Sequence, residues 1–214
     1  MTQPQPVRKG TSISKALVLL TYIVTMAGAA AASSAAYYEP HNVPAPPQKP
    51  NSFSAFRWVT VNGQTSISIL DKQLGEDGEL WLAGGAVMAM IALAVYLFTL
   101  FNMWSAILST ARMAPSSALL LFLVPCLNTV WAMIVAIVWA LDYNKLRDRR
   151  RLSLPVAPIW LASLLGLSMP AGLFWIIGPV APFFVIPHMI LVIWFLNFGC
   201  NAINILSAAH GRSY

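Results

Sequence analysis

Five stretches of this chain, each at least 21 residues long, contain no Asp, Glu, Lys or Arg: residues 16–36, 80–104, 116–141, 155–177 and 181–206. A helix rises ~1.5 Å per residue and a bilayer core is ~30 Å thick, so about 20 such residues can cross it. Backbone groups in lipid must be satisfied within the segment, and these runs are apolar on all sides rather than alternating, so they read as helices. The rest of the composition agrees. Only 9% of the 214 residues are charged and 58% are apolar, whereas soluble domains are about a quarter charged. The expected fold is an all-α integral membrane protein with four or five transmembrane helices.

The segments are unequal. Residues 1–15 form a basic tail with Arg8, Lys9 and Lys15, and residues 16–36 follow as the first transmembrane helix. That order resembles a signal peptide, but the segment is read here as a helix that stays. Residues 37–79 are a Pro-rich linker and hairpin region. Pro44, Pro46, Pro47 and Pro50 keep the linker extended. The stretch FRWVTV-NG-QTSISIL then places two β-favouring runs around Asn62-Gly63, a strong hairpin signal. A two-residue turn sets Thr60 opposite Thr65, Trp58 opposite Ile67 and Phe56 opposite Ile69. The apolar base of that face is expected to lie on the membrane surface, on the helices or on a partner, because a lone hairpin is marginal in water. Residues 80–214 make up the membrane helical domain. Trp81 and Trp104 bracket its first helix at roughly 35 Å, the spacing of two interfacial aromatic belts.

Basic residues constrain the topology. If all five segments span with the N-terminus inside, four lie inside (Arg8, Lys9, Lys15, Arg112) and nine outside, against the positive-inside rule. Two arrangements restore it. In the first, residues 116–141 re-enter rather than span, breaking at Pro125-Cys126-Leu127-Asn128, and ten basic residues lie inside against three outside. In the second, all five span with the N-terminus outside, giving nine against four. Both put the loop of residues 144–151 in the cytoplasm. Its Lys145, Arg147, Arg149, Arg150 and Arg151 are expected to meet anionic lipid headgroups. Basic clusters beside apolar runs do not suggest nucleic acid.

Few residues carry chemistry. His188 is the one ionisable group well inside an apolar segment; a lone imidazole could offer one axial ligand to a haem or chlorophyll metal, but no second ligand accompanies it and no cofactor is expected. Asn197, Asn201 and Asn204 fall at i, i+4 and i+7 on the last helix, a polar stripe suited either to interhelical hydrogen bonds or to lining a pore. Gly28, Ala32 and Ala36, within ten consecutive small residues, and Gly85 with Ala89 make two helix-packing faces that let another helix approach, in this chain or another. Asn128, Trp131, Trp139 and Asp142 share one face, and Asp142 is expected to pair with Arg147 at the helix end. Cys126 and Cys200 sit in separate apolar runs and suggest neither a disulfide nor a zinc site. Nucleotide loops, nucleophile elbows, zinc-protease motifs and paired carboxylates are missing from the sequence.

The pattern Pro125-Cys126-Leu127-Asn128-Thr129-Val130-Trp131, followed by Asp142-Tyr143-Asn144, resembles a segment of some uncharacterised bacterial multi-helix inner-membrane proteins. Those carry two aromatic residues where this chain has Cys-Leu. The resemblance covers residues 115–146, implies a bacterial inner (cytoplasmic) membrane location, and implies no activity.

The expected function is a non-enzymatic accessory or scaffold subunit of a larger membrane complex, in contact with the lipid bilayer and other membrane subunits. The alternatives are a channel or transporter for a small neutral solute, using the asparagine stripe, or a cofactor-holding subunit using His188. The apolar segments hold no Asp, Glu, Lys or Arg, which disfavours a proton-coupled transporter.

Overall fold

The computed structural model describes residues 13–40, 42–44, 56–61, 64–70, 72–120, 128–152, 154–177 and 180–211. Helix α1 runs Lys15–Tyr38, α2 Glu76–Ala106, α3 Pro115–Leu120, α4 Asn128–Arg149, α5 Ile159–Leu173 and α6 Ala181–Gly211. Between α1 and α2 lie four strands, β1 Val43–Pro44, β2 Phe56–Val61, β3 Gln64–Ile69 and β4 Lys72–Gln73. Among the described residues, four helices are long and apolar enough to cross a membrane: α1, α2, α5 extended by the short 3-10 turn Phe174–Ile176, and α6. The 22 residues of α4 do not join them, because their last two turns carry Asp142, Lys145, Arg147, Asp148 and Arg149.

The helix ends follow local chemistry. Ser14 precedes α1 and its carbonyl accepts the Val18 N–H at 3.1 Å, placing a favoured cap residue at the start. Glu76, Asp77 and Glu79 fill the first turn of α2, where negative charge opposes the helix dipole.

The chain forms two compact units. One comprises Tyr22–Leu93 and Pro170–Met189 and contains the sheet. The sheet is antiparallel with strand order β1-β4-β3-β2. Its β2–β3 register is the one expected from the Asn62-Gly63 position: Thr60 pairs with Thr65, Trp58 with Ile67 and Phe56 with Ile69. The turn residues themselves lie outside the described residues. Strand β4 was not anticipated. It follows a turn in which Leu70 holds φ 55°, a conformation that glycine or asparagine usually supplies. The expected apolar face is split. Ile69 at its base is fully buried, but Trp58 is 68% exposed, and cover comes on the opposite face, at Val59 and Ser68.

Polar contacts latch this sheet to the helices. Asn42 donates to the Ala36 and Tyr37 carbonyls at 2.7 and 3.0 Å, closing the C-terminus of α1, and accepts the Gly75 N–H at 3.0 Å just before α2. The Glu79 carboxylate accepts the Ile67 N–H of β3 at 2.8 Å. Lys72 donates to the Tyr37 carbonyl at 3.2 Å and lies 4.5 Å from the Tyr37 ring centroid.

The other unit comprises Met1–Thr21, Ala94–Met169 and Ile190–Tyr214. Here the chain reverses between α3 and α4. The Trp131 indole donates to the Ala118 carbonyl at 2.8 Å, although one continuous helix would separate these residues by roughly 20 Å. Trp139 is the centre of the core. It stacks on Tyr143 at 5.1 Å, meets Phe195 edge-on at 5.8 Å, and donates its indole N–H to the Met103 carbonyl at 3.1 Å. Helices α4 and α5 come close at Gly166, where a Cβ would overlap Met133, including its backbone.

Candidate functional site

The densest polar construction in the described residues is Asp142-Tyr143-Asn144, the second half of the pattern singled out above. It is built from the last full turns of α4. The Asp142 side chain is completely buried. Its carboxylate accepts the backbone N–H of Arg112 at 2.8 Å and pairs with the Arg112 guanidinium, Nε to Oδ1, at 2.9 Å. The expected pairing of Asp142 with Arg147 is therefore corrected. Five residues of helix turn Arg147 about 140° away from Asp142, and Arg147 bonds the adjacent Asp148 instead, through Nε at 2.9 Å.

The next two residues bind the chain that leaves α4. The Tyr143 hydroxyl donates to the Pro155 carbonyl at 3.2 Å. Asn144 makes a two-way pair with Ala157, donating to its carbonyl at 2.9 Å and accepting its N–H at 2.8 Å. Three consecutive side chains thus hold both the segment entering the α3–α4 hairpin and the segment leaving it. Residues 112 and 142, 30 positions apart, meet at one level. Trp131 closes the same hairpin deeper in, through Ala118. The side chain of Asn128 lies outside the described residues, as do residues 121–127. The sequence offered Asp142 and Trp131 as members of a shared face. It gave no partner for Asn144 and no reason to single out Asn42, since both bind backbone groups that no side-chain pattern reveals.

The other candidates are held by the chain's own structure. Asn204 binds the backbone of Ile13 from both directions, accepting its N–H at 2.9 Å and donating to its carbonyl at 3.1 Å. The Lys15 ammonium reaches Asn201 at 3.4 Å, and Asn197 is half-buried. His188 is 5% exposed and its ring comes so close to α5 that a Cβ on Gly172 would lie 2.7 Å from Nε2. Among the described residues no three of His, Cys, Asp and Glu gather as a metal site. Cys200 is buried as a free thiol, while Cys126 and His41 fall outside the described residues.

The small-residue faces meet each other. A Cβ on Gly28 would overlap the Met88 sulfur, and one on Gly85 would lie 3.2 Å from both the Ala29 carbonyl and the Ala32 Cβ. Ala36 is fully buried, Ala32 is 7% exposed and Ala89 is half-buried. These faces therefore serve α1–α2 packing within the chain. At the end of α4, by contrast, Lys145, Arg149, Arg150 and Arg151 are all exposed, and the Arg112 side chain is 57% exposed. Neither a protein-family model nor any curated protein or solved structure matches this chain.

Proposed function

We propose that this chain is a non-enzymatic accessory or scaffold subunit of a larger membrane complex, held by four spanning helices and one re-entrant hairpin. The observation that carries the reading is where its polar side chains go. Asp142, Tyr143, Asn144, Asn204, Asn42, Glu79, Trp131 and Trp139 each bond a backbone group of the chain itself. A catalytic group needs a lone pair or proton directed at a substrate and a partner that activates it. These groups instead brace each unit internally, and one unit carries a latched sheet whose Trp58 is 68% exposed, an arrangement suited to presenting a surface.

Two contacts favour four spans over five. Ile13 before α1 pairs with Asn204 near the end of α6, and two residues held at one level support an even number of crossings between them. Arg112 and Asp142 meet at the base of the α3–α4 hairpin, and Trp131 lies ~16 Å farther along α4, near mid-depth of a ~30 Å core. With the hairpin re-entrant, ten basic residues face the cytoplasm and three the other side.

The test is native mass spectrometry of the gently solubilised protein, with a photo-crosslinking residue at position 58. The expected result is a stable assembly and a crosslink to a second membrane protein. Recovery as a single chain, with no crosslink, would overturn the reading. A conduit for a small neutral solute is the second reading. It is favoured by the hairpin, because a helix interrupted at membrane depth is tolerated only where protein or a water-filled cavity surrounds it. Solute flux into liposomes containing only this chain would choose it.

A further inference from the structure

Three arginines in succession end α4. Arg149 is its last residue, and Arg150 and Arg151 turn the chain. The Leu152 N–H donates to the Arg147 carbonyl at 3.0 Å and the Arg151 N–H to the Asp148 carbonyl at 3.3 Å. This pair of bonds is the Schellman closure, in which the residue after the cap adopts a left-handed conformation and is usually glycine. Here that residue is Arg151, with φ 50°. A side chain in this region is strained, and glycine would relieve it. What arginine supplies there, and glycine does not, is a fourth exposed cation beside Lys145, Arg149 and Arg150.

Exposed apolar side chains follow this cationic end in the sequence. Tyr143 and Asn144 strap residues 155–157 back onto α4. Val156 is 58% exposed, and the chain continues into Ile159 at 41% and Trp160 at 64%. Exposed guanidinium groups at 149–151 and exposed apolar side chains at 156, 159 and 160 thus fall within twelve residues of sequence, on either side of one turn.

The geometry points to a binding surface for individual anionic phospholipids at this place, with the phosphate on Arg149, Arg150 and Arg151 and an acyl chain along Val156, Ile159 and Trp160. The planar guanidinium fork matches two oxygens of a phosphodiester, and four of the five cations in this loop are arginine rather than lysine. A free phosphate shares that chemistry but would leave the apolar part uncovered. Helix-dipole compensation, the simpler account of basic residues at a helix C-terminus, does not require a charge at the strained position.

The experiment uses the full chain in neutral detergent micelles, so its outcome does not depend on which way the loop faces or on a partner subunit. Dioctanoyl phosphatidylglycerol, dioctanoyl phosphatidylcholine and inorganic phosphate are each titrated, with binding read by native mass spectrometry and thermal shift. Saturable binding is expected with phosphatidylglycerol alone. Each arginine removed should weaken it roughly fivefold, so the triple variant Arg149→Gln, Arg150→Gln, Arg151→Gln should lose about a hundredfold. Arg151→Gly separates charge from fold: its midpoint without lipid should rise by roughly 2–4 °C, while its phosphatidylglycerol affinity falls. The proposal is overturned if the triple variant or Arg151→Gly binds phosphatidylglycerol as tightly as the natural chain. It is equally overturned if phosphatidylcholine binds as well, or if inorganic phosphate displaces the lipid.

Discussion

Replacing Asp142 should open the base of the α3–α4 hairpin, and the size of the effect can be divided between its two bonds. The carboxylate is completely buried, while the Arg112 side chain is 57% exposed. A partner so well solvated loses little when the ion pair goes, less than about 1 kcal/mol. The backbone N–H of Arg112 depends more heavily on the carboxylate, since a hydrogen bond to a charged acceptor contributes about 1.5–3 kcal/mol. Asp142→Ala should therefore destabilise by about 2–4 kcal/mol. At roughly 2–4 °C per kcal/mol for a chain of this size, the midpoint should fall by roughly 5–15 °C. Asp142→Asn keeps an acceptor oxygen for the N–H and should lose about half as much. Arg112→Gln keeps the N–H bond and removes only the guanidinium, so it should fall by less than about 1 kcal/mol. Thermal unfolding of the three variants in one detergent gives the order, and protease cleavage across residues 107–115 reports whether the loss is local. If Arg112→Gln is as damaging as Asp142→Ala, the ion pair rather than the backbone bond holds the base. If none of the three moves the midpoint, the base is not held there at all.

Asn204→Ala removes both bonds to Ile13 and should raise hydrogen exchange at residues 13–18, with a stability loss of about 1–2 kcal/mol; unchanged exchange would place the N-terminal anchor elsewhere. Gly166→Ala forces a Cβ into Met133 and should impair folding, whereas Gly84→Ala, with nothing within 4 Å, should be neutral or stabilise by about 0.5–1 kcal/mol. Equal behaviour of the two would refute the close α4–α5 approach. A cysteine at position 150 should label from the cytoplasmic side and one at position 66 from the other, and labelling of both from the same side would overturn the four-span topology. Gly28→Leu should lower the midpoint of the isolated chain, because its side chain displaces Met88; a variant that folds normally but loses partners would return this face to intermolecular use.

The membrane class was legible because lipid imposes one strict demand, a long apolar run, and the sequence meets it without ambiguity. The β2–β3 register was equally legible, since an Asn-Gly pair between two β-favouring runs is a two-residue turn signal and that spacing fixes the pairing. Strand β4 was hidden for the converse reason: its turn uses Leu70 at a positive φ, with no glycine or asparagine to mark it. Arg151 conceals the Schellman closure of α4 in the same way. The α3–α4 reversal stayed open in the sequence because a run of 26 uncharged residues is long enough to cross, and hydropathy does not distinguish one crossing from a hairpin. The contacts between Trp131 and Ala118 and between Asp142 and Arg112 carry that information, and each joins a side chain to a residue more than ten positions away.

The small-residue faces show how far such a reading reaches. Gly28, Ala32, Gly85 and Ala89 were expected to let another helix approach closely, but small side chains say nothing about whose helix arrives. In this structure α1 and α2 meet each other there, so these faces no longer argue for a second protein. The argument for a partner passes to surfaces the chain leaves open. Trp58 is a large side chain at 68% exposure on a sheet fixed to two helix ends by Asn42, Glu79 and Lys72. Fixing a strand this firmly reduces the conformational entropy lost when something binds it, so an exposed aromatic on such a support contributes more to association than the same residue on a loose loop. The polar latches that hold the sheet and the exposed indole it carries are thus two parts of one arrangement, and the same variant tests both. Asn42→Ala should loosen the support and weaken any crosslink from position 58 without touching Trp58 itself.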